Sequence, residues 1–453
     1  MEPEPGRRRA TLLLWALALA FPVGALLLPS VWPARSRMPA IGRLLNAPIV
    51  LITASGLRGD GLGRERAGRA VTPALDRLAE QGVSFGLCYP ASNQQVPAAA
   101  ALLTGCCPAT TGVRAEGEVL QPRLETLAER MAAAGYRTAA VVSNPALLGV
   151  GLEQGFGSFE ARPGAAADDV VGAGLEQIRA AHDGPWLLWL DFSELLAPYG
   201  GPALDLAAFA PDAPADFGAS ADDYGLDDAD LAARGWGPRE LGWLAARYDA
   251  ALARLDAAVG RLAAELEGIN RLEMATLCVT SLRGERLEAR PPYFTTGTDL
   301  SQDTLDVPLL LRLPAQTARG MRLARLAQGS DVAPTLCDLS LHGALAGATG
   351  RSLEPAFQSR TRVNRVVFAE GLVQLVAHGP LLPALAVYRA QKPLDFKTLL
   401  ADDGRLLGAW KLAPGEDEGA NPGLALNANQ IVELKKVWRE ALGDRSDCLD
   451  RVR

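Results

Sequence analysis

The sequence predicts an α/β fold, namely a doubly wound and mostly parallel sheet with a small α+β subdomain at its C-terminal end. Two observations support this prediction. Segments that are apolar at every position alternate with segments of helical period, as in parallel sheets that helices cover on both faces. The 453-residue chain is 49% hydrophobic and 21% charged, which is the composition of a globular protein with a large core.

The apolar segments and the helical segments define the order of the elements. Strands are predicted at 48–53, 138–143, 186–190, 275–280 and 307–313. Helices are predicted at 72–81, 124–134, 168–181 and 240–267. Ligands of doubly wound sheets bind outside the carboxyl ends of the strands, so a functional site is expected where these strands end.

The N-terminal segment has the pattern of a membrane anchor. Arg7, Arg8 and Arg9 precede an apolar run at 11–28, whose 18 residues are enough to span a bilayer. A cleaved signal peptide is the alternative, because residues 18–20 read Ala-Leu-Ala, a small-residue cleavage pattern. We therefore expect a single-pass protein of the inner membrane with its main domain outside the cytoplasm, or else a secreted or periplasmic protein.

Changes in composition divide the chain into five parts. These are a cytoplasmic tail (1–10), an anchor or signal segment (11–32), a linker (33–47), an α/β domain (48–360) and a small C-terminal subdomain (361–453). Short strands at 365–369 and 372–377 and a helix at 429–442 are predicted in the subdomain. The acidic stretch at 200–237 is predicted to be a solvated loop, because runs of like charge are usually hydrated.

Charge and residue counts exclude two kinds of site. The formal net charge is −7, so the basic face that nucleic acid requires is not expected. The six cysteines lack the spacing of a metal site, and the histidines, His182, His342 and His378, are too few for a zinc enzyme. We expect no nucleic-acid partner, and the cysteines are expected to be mostly small buried side chains.

A series of spaced motifs fills residues 71–114. The motifs are Thr72-Pro73, Asp76-Arg77-Leu78-Ala79, Pro97, Leu102-Leu103-Thr104-Gly105, Pro108 and Gly112-Val113-Arg114. This series resembles the N-terminal signature of the sulfatase family, which lies in the alkaline-phosphatase superfamily. The similarity continues through 126–139 and 248–260 to a late signature at 330–353. The resemblance implies the sulfatase fold and, in active members, calcium-dependent hydrolysis of sulfate esters.

The nucleophile that the resemblance implies is missing. Sulfatases oxidise a Cys or Ser to formylglycine at the start of a C/S-x-P-S-R motif, and this position falls on Gln95. The arginine of the motif falls on Ala99. A supporting histidine is also absent from 194–199, and the lysine of the family falls near Gly297. An amide cannot become an aldehyde hydrate, so the usual nucleophile cannot form.

The calcium ligands that the resemblance implies are missing as well. Their positions fall on Ser55 and Gly56 in one motif and on Leu282 and Arg283 in the other. Calcium prefers carboxylate oxygens, so we expect no metal and no other cofactor. The guanidinium of Arg283 could instead attract an anion near the former metal position. The alternative is that Arg283 pairs with Glu285 or reaches solvent.

Three hypotheses about function follow. The leading one is a catalytically inactive, sulfatase-like protein of the cell envelope, which serves as a binding or scaffolding module for an anionic ligand or a protein partner. The second is an active ester hydrolase of non-standard residues, with Ser55, Ser92, Asp191 and Glu194 as candidates. The third is a structural subunit without a pocket ligand.

Overall fold

A computed structural model describes residues 46–358 and four later segments of the chain. Gaps in the first range fall at 182–183, 202–203, 205, 288–290, 296, 298 and 341, and the later segments are 365–374, 381–391, 394–401 and 406–411. The described residues belong to one compact unit. The predicted anchor at 11–32 and the predicted helix at 429–442 lie outside them. Within the described part, no helix combines the length and apolarity that a membrane span needs.

Ten strands precede the C-terminal region. They are β1 (Ile49–Ala54), β2 (Glu65–Arg66), β3 (Arg69–Ala70), β4 (Val83–Tyr89), β5 (Arg137–Val142), β6 (Ser158–Ala161), β7 (Trp186–Phe192), β8 (Thr276–Thr280), β9 (Val307–Arg312) and β10 (Met321–Gln328). Eight of them form one sheet in the order β10-β4-β9-β8-β1-β7-β5-β6. Strand β9 runs antiparallel to β4 and β8, whereas the other pairings are parallel. The predicted α/β fold with a mostly parallel sheet is confirmed.

Helices connect these strands. They are α1 (Pro73–Gln81), α2 (Gln95–Thr104), α3 (Pro108–Thr111), α4 (Leu127–Ala133), α5 (Ala167–Ala180), α6 (Asp228–Arg234), α7 (Pro238–Gly268), α8 (Gln302–Leu305), α9 (Val332–Leu339) and α10 (Glu354–Gln358). The prediction of a solvated loop at 200–237 is wrong at α6. The carboxylate of Asp227 accepts the N–H groups of Ala229 and Asp230 there, and this capping starts a helix within the acidic stretch.

The main core lies between the sheet and helices α5 and α7. Alternate residues of the central strands, such as Val50, Ile52 and Leu190, pack with apolar residues of both helices. Asp256 of α7 accepts the N–H groups of Ala74 and Leu75, so its carboxylate caps α1 and joins the two helices. Asp256, which lies in the family-like segment 248–260, therefore stabilises the fold.

The C-terminal strands form a second sheet. Strands β11 (Arg365–Gln374), β12 (Leu381–Gln391), β13 (Leu394–Ala401) and β14 (Leu406–Lys411) pair antiparallel in that order. A single strand, β11, replaces the two short strands predicted at 365–369 and 372–377. Val367 and Ala369 of β11 pack against Tyr89 and Leu305. The second sheet thus contacts the carboxyl-edge region of the first, and the division of the chain at residue 360 stays a prediction.

Candidate functional site

The ends of β1 and β8 bring together the four positions matched to calcium ligands. Ser55 and Gly56 follow β1, and Leu282 and Arg283 follow β8. The N–H group of Gly56 donates to the carbonyl of Arg283 at 2.9 Å, which holds the two strand ends side by side. All four residues are buried. The fold therefore brings together two motifs that lie more than 200 residues apart in the sequence, and the function of this place stays a prediction.

Packing leaves no space for a side chain at Gly56. Its φ is +96°, and a Cβ atom would lie 2.4 Å from the carbonyl oxygen of Leu195. The hydroxyl of Tyr248 also donates to the carbonyl of Gly56 at 2.8 Å, which fixes this turn. The residues present do not fit calcium, because one matched position holds no side chain, one holds the apolar Leu282 and one holds the cationic Arg283. Within the described ranges, no group of three or more His, Cys, Asp or Glu side chains is placed to hold a metal ion.

Gln95 is the first residue of α2, and its side chain is engaged within the protein. The amide of Asn144, which follows β5, donates to the side-chain carbonyl of Gln95. Ala99 lies one turn further along α2 and is fully buried. The position of the family nucleophile therefore holds a buried amide, and the position of the motif arginine holds a methyl group.

Glu116 covers the N-terminus of α2. Its carboxylate accepts the N–H group of Gln95 at 2.6 Å and that of Val96 at 3.1 Å. The first N–H groups of a helix lack partners within the helix and carry partial positive charge, so they attract an anion. Sequence reasoning missed Glu116, because it lies in a loop and no spacing relates it to Gln95.

Arg283 follows β8 and is mostly buried. The residue is 7% exposed, and its Nε is buried without a hydrogen-bond partner among the residues that the structure describes. Its Nη1 lies 3.5 Å from the point that a Cβ of Gly297 would occupy, and the Nε2 of Gln94 lies 3.1 Å from the same point. Burial lowers the pKa of Arg283 from its ordinary value, although Glu285 and Glu116 oppose this shift. The charges of Arg283 and Glu285 therefore interact without a direct ion pair among the described residues, and the alternative that Arg283 reaches solvent stays a prediction.

Glu285 lies near Arg283 and is also buried. The hydroxyl of Tyr199 donates to its Oε1 at 2.8 Å, and its Oε2 has no partner in the described part of the chain. Burial raises the pKa of Glu285 to about 7, against the effect of Arg283. Arg58 donates to the backbone carbonyl of Glu285 at 2.8 Å and pairs with Asp60 at 2.7 Å.

Asp191 lies beside Thr53 at the end of β7. The hydroxyl of Thr53 donates to its Oδ2 at 2.6 Å, and burial raises the pKa of Asp191 to about 7. Thr280 flanks Thr53 on the other side in the register of the sheet. Asp191 Oδ1, Thr280 Oγ1 and Ser55 Oγ are buried and have no partner among the described residues. Unpartnered polar atoms that are grouped in this way are typical of a site that holds water or a ligand.

The other predicted candidates have structural contacts. The hydroxyl of Ser92 accepts the N–H group of Gln94 at 3.1 Å. The carboxylate of Glu194 pairs with Arg254 and accepts the N–H group of Ala167 at 3.1 Å. His342 packs edge-on against Tyr136, with ring centroids 5.4 Å apart. Four of the five cysteines in the described residues are buried.

The mixed, mostly parallel sheet, with the candidate site at its carboxyl edge, is an α/β architecture that several classes of hydrolase share. The family model for sulfatases matches residues 48–342, and the chain therefore belongs to the sulfatase family. A search of curated proteins finds no match.

Solved structures share this fold over nearly their whole length. The phosphonate monoester hydrolase of Agrobacterium radiobacter is 19% identical, with a TM-score of 0.65, and the match covers 89% of this chain and 96% of that one. BT4656, solved with its substrate D-glucosamine-2-N,6-O-disulfate, is 16% identical, with a TM-score of 0.69, and the match covers 90% of this chain and 98% of that one. The 2-O GAG sulfatase BT1596 is 17% identical, with a TM-score of 0.66, and the match covers 90% of this chain and 94% of that one. At these identities the likeness shows the fold alone.

Proposed function

We propose that this chain is a sulfatase-family protein that does not hydrolyse esters and instead uses its carboxyl-edge pocket as a binding or scaffolding module. The reaction of the family needs an activated nucleophile and a cation that polarises the ester. Gln95 and the pair Leu282 and Arg283 supply neither. A location at the cell envelope is part of this proposal and rests on the apolar segment at 11–28.

The closed packing at Gly56 is the observation that carries the proposal. A single lost ligand could be replaced by a water molecule or by a neighbouring carboxylate. At Gly56, however, the backbone of Leu195 occupies the space that a ligand side chain would need. The packing of the main chain is therefore adapted to a pocket in which no carboxylate projects from this position.

We expect the purified protein to release no product from 4-nitrophenyl sulfate, 4-nitrophenyl phosphate or a phenylphosphonate monoester, with or without calcium. The physical reason is that neither the nucleophile nor the polarising cation has a residue to form it. Product release measured by absorbance tests this expectation. Calcium-dependent turnover that persists through purification and disappears in Gln95→Ala would refute the proposal.

An active hydrolase that uses Ser55 and Asp191 is the second candidate. The raised pKa of Asp191, about 7, favours it, because a general base works best when its pKa lies near the working pH. The buried Ser55 hydroxyl, however, has no hydrogen-bond partner among the residues described, so no base is positioned on it. Turnover that both Ser55→Ala and Asp191→Asn abolish would support this candidate.

A further inference from the structure

A cavity of about 480 Å³ lies at the opposite edge of the main sheet from the candidate site. It is lined by residues at the amino ends of β5, β6 and β7, whereas the candidate site follows the carboxyl ends of β1 and β8. Small-molecule sites in proteins usually have volumes of about 300–1,000 Å³, so this cavity is large enough for a ligand. The proposed function does not involve it.

The cavity forms because the strands begin at different positions. Strand β6 begins at Ser158, which pairs with Ala139, so the first two residues of β5 have no partner strand on this side. The hydroxyl of Thr138 instead donates to the carbonyl of Gly155 at 2.8 Å and accepts the N–H group of Gly157 at 2.9 Å. Neither glycine has a side chain that would fill the space. The shape of the cavity is therefore fixed by the main chain.

Much of the wall of the cavity is apolar or aromatic. Ile178, Trp186 and Leu188 are buried and form part of it. The ring of Phe156, which also lines the cavity, stacks on that of Trp189, with ring centroids 5.9 Å apart and 27° between the planes. Side chains that are already held in place offer contact area to a ligand at little cost in conformational entropy. The wall thus fits the apolar part of a ligand.

Arg137 places a positive charge at the rim of the cavity. Its Nη1 donates to the carbonyl of Ala180 at 2.7 Å, and the next residue, Ala181, lines the cavity as Arg137 itself does. The structure gives Arg137 no acidic partner among the described residues. None of the described residues that line the cavity is acidic either. A guanidinium is always charged and donates readily to carboxylates, so an anionic group fits this rim.

We infer that the cavity binds a carboxylate with an apolar chain or ring, whose apolar part lies against Phe156, Ile178 and Trp186 and whose carboxylate pairs with Arg137. One positive charge beside an apolar wall, without a negative charge of the protein, complements this chemistry. Alkyl and aryl carboxylates share it, and the experiment distinguishes between them. The inference goes beyond the proposed function and does not depend on it.

Calorimetric titration of the full chain with octanoate and with naphthoate tests the inference. At least one of the two should bind at a single saturable site, and the tighter one identifies an alkyl or an aryl ligand. The matching neutral amide, octanamide or naphthamide, should bind about 5-fold more weakly, because its pairing with Arg137 is lost. Failure of both carboxylates to bind, or equal affinity for the carboxylate and its amide, would overturn the inference.

Ala132→Trp and Ala133→Trp are a matched pair of variants that locates the binding. Both alanines are exposed on α4, but of the two only Ala132 lines the cavity. Ala132→Trp should weaken carboxylate binding by about 10-fold or more, because the indole takes up the space of the ligand. Ala133→Trp should bind as the unchanged protein does. Equal affinities of the two variants would place the ligand elsewhere and contradict the inference.

Arg137→Gln tests the charge separately from the space. Glutamine can still donate to the carbonyl of Ala180, but it is neutral. This variant should bind the carboxylate about 5-fold more weakly and the amide as tightly as the unchanged protein does. Melting temperatures without ligand show whether each variant is folded, and if Ala132→Trp is not, Arg137→Gln decides the question. Unchanged carboxylate affinity in Arg137→Gln would refute the site.

Discussion

Gly56→Ala should lower the free energy of unfolding by about 3–5 kcal/mol. Two effects add at this position. The φ of +96° strains any residue with a Cβ atom, and that atom would lie 2.4 Å from the Leu195 carbonyl, a backbone group that cannot rotate away. The same clash means that restoring an acidic ligand by Gly56→Asp should fail to give a folded calcium site.

Denaturant unfolding of Gly56→Ala measures this effect, and Gly68→Ala separates its two parts. Gly68 also has a left-handed φ of +72°, but a Cβ atom there would meet nothing within 4 Å. Gly68→Ala should lower the free energy of unfolding by about 1 kcal/mol, because only the backbone strain is added. Similar losses for the two variants would show that the space at Gly56 is open and would remove the main support for the non-hydrolytic function.

Asp191→Asn should raise the free energy of unfolding at pH 8 by about 4 kcal/mol. Burial raises the pKa of Asp191 from 3.8 to about 7 in the folded protein. Between about pH 4 and pH 7 the folded protein therefore keeps a proton that the unfolded chain has released, so stability falls as the pH rises through this window. Asparagine has no proton to lose, and its carbonyl can still accept from Thr53.

Unfolding at several pH values between 4 and 8 tests this expectation. The difference between Asp191→Asn and the unchanged protein should be small near pH 4 and should grow until about pH 7. Burial also raises the pKa of Glu285 and of Asp306 to about 7. The stability of Asp191→Asn should therefore still fall as the pH rises, although less than that of the unchanged protein. Asp338→Asn, at an exposed carboxylate, should match the unchanged protein at every pH. A constant difference for Asp191→Asn would contradict the shifted pKa.

Elements with an unbroken pattern were predictable from the sequence. Strand β1 and helix α7 lie within two residues of their predicted bounds, because one is apolar throughout and the other keeps the helical period. Strand β10 was missed, because its first five residues alternate between exposed and half-buried positions and include Arg322 and Arg325. An edge strand of this kind has no continuous apolar pattern.

The site was predictable only where the family motifs reach it. Ser55, Leu282 and Arg283 meet as their motifs implied, since the two strands that carry them pair in parallel. The contacts that decide the chemistry of the pocket come from Glu116 and Asn144, which lie in loops. Whether a loop side chain reaches a helix terminus depends on the packing of the whole domain, and no local pattern records it.

The position of β1 at the centre of the sheet has a consequence for the time course of folding. This strand is made first, yet its partners β7 and β8 follow 138 and 227 residues later. At about 5–20 residues per second, a ribosome needs on the order of 10–45 s to complete them. Until β7 is made, β1, which is buried at every position in the folded domain, has neither of its sheet neighbours to pair with. A nascent chain is therefore exposed to aggregation or to a chaperone for longer than a protein built from adjacent hairpins.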